Sequence, residues 1–315
     1  MARYLILLAV LALPAAAFDL EGHRGTRGLA PENTLAAFQR ALAIGVTTLE
    51  TDMAVTQDGV LVISHDPYLN PDIVRGPDGG WLAVRGPAIH SLTLEELSRY
   101  DIGRLNPASA YAKQFPLQEA VDGQRFPTLS QVFALGAGNA VRFDIETKIT
   151  PTSGGDTPDP ATFAKLVVAA VQQAGVENRV TVQSFDWRTL LAVKKLAPAI
   201  PTACLTIESP NEDTVQRQAA NGSPWHAGLK LANFGGSLPK LVAAAGCTYW
   251  SVFWRNLTPA ALAEAHAAGL EVLVWTVNDP RDIARFVDMG VDGLVTDYPD
   301  RARKVLGEKG VPIPQ

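Results

Sequence analysis

Residues 48–66 have the sequence TLETDMAVTQDGVLVISHD, two runs of strand-favouring residues joined through an Asp-Gly pair. Successive side chains of a strand point to opposite faces, so Glu50 and Asp52 project from the same face. An Asp-Gly pair flanked by apolar residues favours a β-hairpin, with residues 60–63 as the return strand. The stretch therefore predicts two carboxylates on one wall of a strand, with a second strand folded back beside them.

The register of this hairpin decides which side chain lies next to the carboxylates. A two-residue loop of Asp58 and Gly59 would place Asp52 directly opposite His65, with Cβ atoms about 5 Å apart. A longer loop would shift the register, although His65 would still return towards Asp52. We therefore expect two acids and a histidine to converge through local structure alone.

The first 17 residues have the layout of a secretory signal peptide. Arg3 precedes an apolar run at residues 4–13, which is followed by Pro14 and three alanines. Cleavage is expected before Phe18. A membrane span needs ~20 apolar residues, so the pattern favours export, with an uncleaved anchor as the alternative. The sequence predicts an exported protein, periplasmic or secreted, without stable membrane insertion.

Charge limits the possible partners. The chain has 315 residues and a formal net charge of −5, which becomes −6 when Arg3 leaves with the predicted signal peptide. Such a charge offers no basic field for nucleic acid or anionic lipid, so neither is expected as a partner. The sequence carries no indication of the oligomeric state.

The two cysteines of the chain, Cys204 and Cys247, both lie in strand-like segments. An oxidising compartment would permit a disulfide between them. The facing of the two side chains is not fixed by the sequence, so the pairing remains open at this stage.

From residue 18 onward, strand-like and helix-like segments alternate almost to the end of the chain. Strands are expected at residues 18–22, 47–55, 140–147, 179–184, 202–207, 248–253, 271–277 and 293–296. Helices are expected at residues 31–45, 93–99, 128–135, 160–173, 187–195, 211–218, 238–245, 259–268 and 280–289. Eight strands with helices between them predict an α/β fold of the closed parallel kind, the TIM (β/α)8 barrel.

Residues 66–126 interrupt the alternation after the second barrel strand. The segment is rich in Pro and Gly, and its one helical piece begins with a capping box of Thr93 and Glu96. Too few of its residues are periodically apolar to fill a separate core. We therefore predict a single catalytic domain over residues 18–315, with 66–126 as an insertion that covers the site.

Polar, ionisable and aromatic residues collect where the predicted strands end, the edge at which TIM barrels carry their chemistry. They are His23, Arg24, Glu50, Asp52, Glu146, Lys148, Gln183, Trp275, Asn278 and Asp297. Alternation also places Arg142 and Asp144 on the inward face of the third barrel strand, deeper than Glu146, and we expect these two to pair with each other.

Glu50, Asp52 and Glu146 form the predicted metal site. Three like charges at one rim repel strongly without a cation between them. A set of oxygen ligands without a nearby Cys suits one hard divalent cation, Ca²⁺ or Mg²⁺. The alternative is that Arg24 and Lys148 neutralise the carboxylates.

His23 and His65 are the candidate catalytic residues, because an imidazole exchanges protons near neutral pH. Both are expected at strand ends beside the acids. His90, His226 and His266 lack that setting, and we interpret them as structural.

Three further residues are candidates for binding substrate. Arg24 offers a planar fork for a phosphate oxygen, and Glu32 is placed to orient it. Lys148 adds a point charge, although it could instead neutralise the carboxylates. Trp275 is the candidate aromatic wall for the apolar face of a small polyol.

These motifs together resemble the glycerophosphodiester phosphodiesterase family. The similar motifs are HRG at residues 23–25, PENT at 31–34, E-x-D at 50–52, HD at 65–66, E-x-K at 146–148, QSF at 183–185, WTVN at 275–278 and TDYP at 296–299. They span nearly the whole chain after the predicted signal peptide. The exported form resembles the periplasmic and secreted branch of the family.

The resemblance implies hydrolysis of glycerophosphodiesters to glycerol 3-phosphate and an alcohol. It implies His23 and His65 as acid and base, and a divalent ion held by Glu50, Asp52 and Glu146. Which histidine is the acid, and whether water attacks first or a cyclic phosphate forms, remain open.

Two alternatives compete with this interpretation. A lysophospholipase D-type lipid phosphodiesterase would need an apolar groove, to which Trp81, Leu82 and Tyr100 of the insertion could contribute. A non-catalytic binding protein would capture glycerophosphodiesters without turnover. Capture needs a cation and an arginine but not two proton-transfer groups, so His23 and His65 argue against that second alternative.

Overall fold

Eight parallel strands close into a barrel in the computed structural model, which describes residues 17–313. The strands are β1 (Asp19–Gly22), β2 (Thr48–Val55), β3 (Leu61–Ile63), β4 (Arg142–Thr147), β5 (Val180–Ser184), β6 (Thr202–Thr206), β7 (Tyr249–Phe253), β8 (Glu271–Trp275) and β9 (Gly293–Thr296). Each barrel strand pairs with its neighbours in parallel, and β1 closes the ring by pairing with both β9 and β2. Strand β3 is the exception, since it pairs antiparallel with β2 outside the ring. The predicted TIM barrel is confirmed.

The helices surround this ring. They are α1 (Leu35–Ile44), α2 (Leu94–Leu97), α3 (Leu129–Leu135), α4 (Pro160–Ala174), α5 (Trp187–Leu196), α6 (Leu238–Ala245), α7 (Pro259–Ala267), α8 (Pro280–Met289) and α9 (Pro299–Glu308). Among the residues described, no helix is long and apolar enough to cross a membrane. The predicted signal peptide falls outside the described residues except for Ala17.

Strand β4 illustrates how alternation builds both the core and the site. Phe143 and Ile145 are fully buried in the apolar layer between the strands and the surrounding helices. Asp144 and Glu146 point the other way, into the barrel. The prediction that Arg142 pairs with Asp144 is wrong: the Arg142 guanidinium lies 2.6 Å from Asp19 Oδ2 on β1, which is separated from β4 by β2. Asp19 reaches Arg142 because both residues lie at the amino-terminal end of the barrel.

The β2–β3 hairpin forms as predicted, but its register is shifted by one residue. Its loop contains Gln57, Asp58 and Gly59, with Gly59 in the left-handed region at a φ of 79°. Three-residue hairpin loops characteristically end on such a left-handed residue, and Gly adopts it without a steric penalty. Asp52 therefore lies opposite Ser64, whose backbone N–H donates to the Asp52 carbonyl, and His65 follows one residue later.

One predicted helix does not form, and one helix that forms was not predicted. Residues 211–218 form turns instead of a helix, because Thr214 bonds back to Ile207: its backbone N–H donates to the Ile207 carbonyl, and its hydroxyl accepts from the Ile207 N–H. Short polar side chains of this kind compete with helical hydrogen bonding. Helix α9, by contrast, was not predicted. It buries Ala302 and Leu306 against the barrel and closes the last βα unit.

The insertion packs on the outer side of the hairpin. It begins at residue 66 and contains α2, whose predicted capping box of Thr93 and Glu96 is present. Its apolar residues form a cluster of their own that includes Leu69, Ile89 and Phe126 and continues onto Ala54 and Val62 of the hairpin. The insertion thus has more apolar packing than its sequence indicates, although it shares this packing with the barrel. The single domain over residues 18–315 stays a prediction.

A disulfide joins two neighbouring barrel strands. Cys204 of β6 and Cys247, two residues before β7, are bonded with their Cα atoms 5.9 Å apart, and both are buried. The pairing that the sequence left open is therefore present.

Replacing both cysteines, as in Cys204→Ala with Cys247→Ala, is expected to lower the free energy of unfolding by about 2–4 kcal/mol. The bond spans 43 residues of sequence and restricts the unfolded chain over that distance. Urea unfolding checks the change. As a control, dithiothreitol should lower the urea midpoint of the native protein but not of the double variant. An unchanged free energy of unfolding would contradict the expectation.

Candidate active site

A cavity of about 330 Å³ opens at the carboxyl ends of the barrel strands. It is lined by all eight residues that the sequence predicts to be catalytic, metal-binding or substrate-binding. They are His23, Arg24, Glu50, Asp52, His65, Glu146, Lys148 and Trp275. Barrel closure brings them together, since they come from β1, β2, the end of the hairpin, β4 and β8.

Three carboxylates form the floor of this cavity. Glu50, Asp52 and Glu146 each offer one oxygen, and these oxygens lie within 4.8 Å of one another. The side chains converge because Asp52 of β2 is paired in register with Glu146 of β4. All three residues are at most 7% exposed. This set of oxygen ligands fits a hard divalent cation.

Neighbouring hydrogen-bond donors hold each carboxylate in place. The backbone N–H of Arg24 donates to Glu50 Oε2 over 2.8 Å, and the side-chain amide of Gln183 donates to Glu50 Oε1 over 2.9 Å. The side-chain amide of Asn33 donates to Asp52 Oδ2 over 2.9 Å. Lys148 Nζ lies 2.9 Å from Glu146 Oε1 and 3.6 Å from Asp52 Oδ1. The acids are therefore oriented by groups from three different barrel units, those of β1, β4 and β5.

The charges on these acids are only partly balanced. Burial, followed by the negative charge of Asp52, raises the pKa of Glu50 well above its usual value. Burial also raises the pKa of Glu146 to about 7, although Lys148 acts in the opposite direction. For Asp52, burial is outweighed by the positive charges of Arg24, His65 and Lys148, which hold its pKa below the usual range. Two of the three acids thus lack compensation that a bound cation would supply.

His23 is held by a buried carboxylate at the end of β9. Its Nδ1 lies 2.7 Å from Asp297 Oδ1, and its Nε2 faces the cavity, 4.0 Å from Glu50 Oε2. Asp297 also accepts hydrogen bonds from Arg27 and from the Asn278 amide. Burial and the charge of Arg27 lower the pKa of His23 to about 4, against the opposing effect of Asp297.

His65 enters the cavity from the other side, after the hairpin. Its Nδ1 lies 3.4 Å from Asp66 Oδ1, and Asp66 in turn accepts from the Asn70 amide over 2.8 Å. Burial, Arg24 and Lys148 lower the pKa of His65. The three remaining histidines lie elsewhere: His90 Nδ1 is 3.1 Å from the Val55 carbonyl oxygen, His226 stacks on Trp187, and His266 pairs with Asp292.

Arg24 is bound to carboxylates on two sides. Its Nη1 donates to Glu32 Oε1 over 2.6 Å, as the sequence predicted, and its Nε lies 3.3 Å from Asp52 Oδ2. The Tyr111 hydroxyl of the insertion donates to Glu32 and lies within hydrogen-bonding distance of both Arg24 and Arg27. Arg24 therefore joins the first loop, the carboxylate floor and the insertion.

Aromatic side chains form the opposite wall of the cavity. Trp275 of β8 meets Phe185 edge to face with ring centroids 5.4 Å apart, and Trp225 meets the same ring at 6.4 Å. Phe185, Trp225 and Trp275 all line the cavity, together with Glu212 from the loop after β6.

Several residues of the site were missed from the sequence. Arg27, Tyr111, Trp225 and Glu212 lie in loops without a strand pattern, so no periodicity indicates where their side chains point. Asp297 was placed at a strand end, but no sequence signal connects it with His23, 274 residues away.

Comparison with known proteins agrees with this geometry. Residues 23–301 match the glycerophosphoryl diester phosphodiesterase family. A glycerophosphodiester phosphodiesterase of Caldanaerobacter subterraneus subsp. tengcongensis is 29% identical over 288 residues, which is 91% of this chain and 97% of that protein. The human protein named lysophospholipase D GDPD1 is 25% identical, over 90% of this chain and 84% of its own.

Solved structures give the same result. The crystal structure of a protein of this family from Silicibacter pomeroyi superimposes with a TM-score of 0.83 at 34% identity, covering 95% of this chain and 96% of that one. The family match extends from His23, directly after β1, to the start of α9, so it includes every residue that lines the cavity. The chain belongs to the glycerophosphoryl diester phosphodiesterase family.

Proposed function

We propose that this protein hydrolyses glycerophosphodiesters to glycerol 3-phosphate and an alcohol, with one divalent cation and two histidines. The observation that carries the proposal is the convergence of three buried carboxylates, two imidazoles and two cationic side chains in one cavity. The name of the Caldanaerobacter relative supports the same substrate class.

Glu50, Asp52 and Glu146 are the proposed ligands of a Ca²⁺ or Mg²⁺ ion. Their oxygens are close enough to share one ion, and burial raises the pKa values of Glu50 and Glu146, which a bound cation would lower. A hard cation bound here supplies Lewis-acid stabilisation of charge on phosphoryl oxygens. Gln183 and Asn33 keep the ligand oxygens oriented.

His23 is the proposed general base. The Asp297 carboxylate accepts a hydrogen bond from the protonated Nδ1, which leaves the Nε2 lone pair directed at the cavity. Because its pKa is lowered, His23 is neutral at physiological pH and can accept a proton from the attacking hydroxyl. Asp297 would then stabilise the imidazolium that forms.

His65 is the proposed general acid, which protonates the departing alkoxide. Burial, Arg24 and Lys148 lower its pKa, but Asp52 and Asp66 favour the protonated form, and the negative charge of a bound phosphate acts in the same direction. His65 approaches the cavity from the β2–β3 side, while His23 approaches from β1, so the two imidazoles can serve opposite sides of a phosphorus centre. Arg24 and Lys148 add positive charge for the phosphate oxygens, although both also pair with the carboxylates. Trp275 provides an apolar surface for the substrate carbon atoms.

A lysophospholipase D activity is the second candidate, favoured by similarity to the human lysophospholipase D GDPD1. The predicted contribution of Trp81, Leu82 and Tyr100 to an acyl groove lacks support. Among the described residues of the insertion, Pro67 alone lines the active-site cavity. A non-catalytic binding function is disfavoured by the Asp297–His23 pair, because capture requires no oriented imidazole.

We also propose that the protein is exported to the periplasm or secreted. The Cys204–Cys247 disulfide supports this, because such bonds persist in oxidising compartments. The amino-terminal sequence pattern is the second support.

Removing the cation is expected to abolish turnover. Protein treated with chelator should not release glycerol 3-phosphate from glycerophosphocholine, and added Ca²⁺ or Mg²⁺ should restore the reaction. Glu146→Gln should weaken ion binding by at least about tenfold in calorimetric titration, because it removes one charged ligand. Glu21→Gln is the matched control, since Glu21 is a buried barrel acid with a raised pKa outside the proposed ligand set. Full turnover in chelator would contradict the metal assignment.

The two histidine variants should respond differently to the leaving group. His65→Ala should lose about 10²–10⁴-fold in kcat with glycerophosphocholine but retain most of its turnover of the 4-nitrophenyl ester of glycerol 3-phosphate, whose phenolate needs no proton. His23→Ala should lose both activities. His266→Ala, remote from the cavity, serves as the control. Equal losses of His65→Ala on both substrates would overturn its role as acid.

Asp297 is expected to act by positioning His23. Asp297→Asn should lower kcat by roughly 10²–10⁴-fold with a smaller change in KM, because the imidazolium loses its stabilising carboxylate. NMR of ¹⁵N-labelled histidine should show the Nδ1–H tautomer of His23 in the native protein and a mixed population in the variant. Asp292→Asn is the control, because Asp292 pairs with His266 away from the cavity. It should leave kcat and the His23 tautomer unchanged.

A further inference from the structure

In the aromatic wall of the cavity, two tryptophan rings pack against the ring of Phe185. Trp275 and Trp225 both contact Phe185 at steep angles, 82° and 76° between ring planes. The three rings are only partly buried, so part of each remains accessible from the cavity that they line. Rings that meet in this way present several π-faces and edges to a single small group.

Glu212 adds a negative charge to this wall. It lies in the loop between β6 and α6, in a turn where its backbone N–H donates to Ser209 Oγ. Its carboxylate has no cationic partner within 4.0 Å among residues 17–313, whereas Glu208 in the same loop pairs with Arg217. Glu212 is therefore an exposed, unpaired acid at the cavity.

The charged side chains divide the cavity into two parts. Strand β6 is the fifth strand around the ring and lies across the barrel axis from β1, after which Arg24 follows by two residues. Lys148 Nζ is 5.9 Å from the Phe185 ring centre, but its charge is directed to Glu146 and Asp52. Arg24 thus lies across the barrel from the loop that carries Glu212, and the charge of Lys148 is taken up by the carboxylates.

We propose that Phe185, Trp225, Trp275 and Glu212 form a subsite for a cationic head group, preferentially a quaternary ammonium. This inference rests on the proposed function and narrows its substrate class to zwitterionic glycerophosphodiesters of the choline type. A quaternary ammonium has no N–H to donate, so it is recognised by aromatic faces and a nearby negative charge. A neutral head group of the same shape gains only the apolar part of that contact.

The test compares two diesters of the same shape. One is glycerophosphocholine, and the other carries 3,3-dimethylbutanol, in which carbon replaces the ammonium nitrogen. The native protein should favour the choline diester in kcat/KM by about tenfold. Trp225→Leu and Glu212→Gln should each reduce this ratio at least threefold, roughly what losing part of a cation–π or ion contact costs. Glu208→Gln, which keeps an acceptor for Arg217, should retain the ratio.

Equal kcat/KM values for the two diesters in the native protein would overturn the subsite. An unchanged ratio in the Glu212→Gln variant, whose exposed side chain carries little fold stability, together with an unchanged ratio in folded Trp225→Leu, would also overturn it. A failure of the proposed function is distinguishable, because neither diester would then release glycerol 3-phosphate. A preference for lysophosphatidylcholine over both diesters would assign the wall to an acyl chain and reject the proposal.

Discussion

Burial of three carboxylates within 4.8 Å of one another is the constraint on which the rest of the site depends. Like charges in a low-dielectric setting are costly, so each acid requires fixed donors or a cation. The HRG loop provides the first of these donors. Arg24 adopts a left-handed φ of 49°, which turns its backbone N–H to Glu50 and its guanidinium to Asp52. Gly25 follows in the same region, where a Cβ would come within 2.7 Å of the Ala37 carbonyl carbon in α1.

The parts of this arrangement that were predictable are those governed by strand alternation. Glu50, Asp52 and Glu146 could be assigned to one face because each lies in a run with a period of two, and barrel closure then brings them together. The hairpin register escaped prediction because the loop takes in Gln57, and nothing in an Asp-Gly pair fixes whether the residue before it belongs to the strand. One residue of loop length was enough to replace His65 by Ser64 opposite Asp52.

The contacts and conformations of loop residues could not be predicted from the sequence, for a different reason. Tyr111 lies in the insertion, yet it reaches Glu32 and the two arginines of the first loop. Residues 211–218 were predicted to form a helix, but Thr214 hydrogen-bonds instead to Ile207, which lies before that segment. In both cases a contact between residues that are separated in sequence decides the conformation. Such a contact produces no periodic pattern of apolar residues, so the sequence does not indicate it.

This difference also separates two kinds of residue within the cavity. The proposed ligands and His23 sit on or directly after barrel strands, whose packing holds them within narrow limits. Glu212 and Trp225 sit in the loop between β6 and α6, whose central part packs less deeply and tolerates change at little cost in stability. A head group in the proposed subsite would therefore contact this loop and not the loop that donates to Glu50, because β6 lies across the barrel from β1. The fold thus separates the proposed head-group subsite from the donors that hold the proposed ligands.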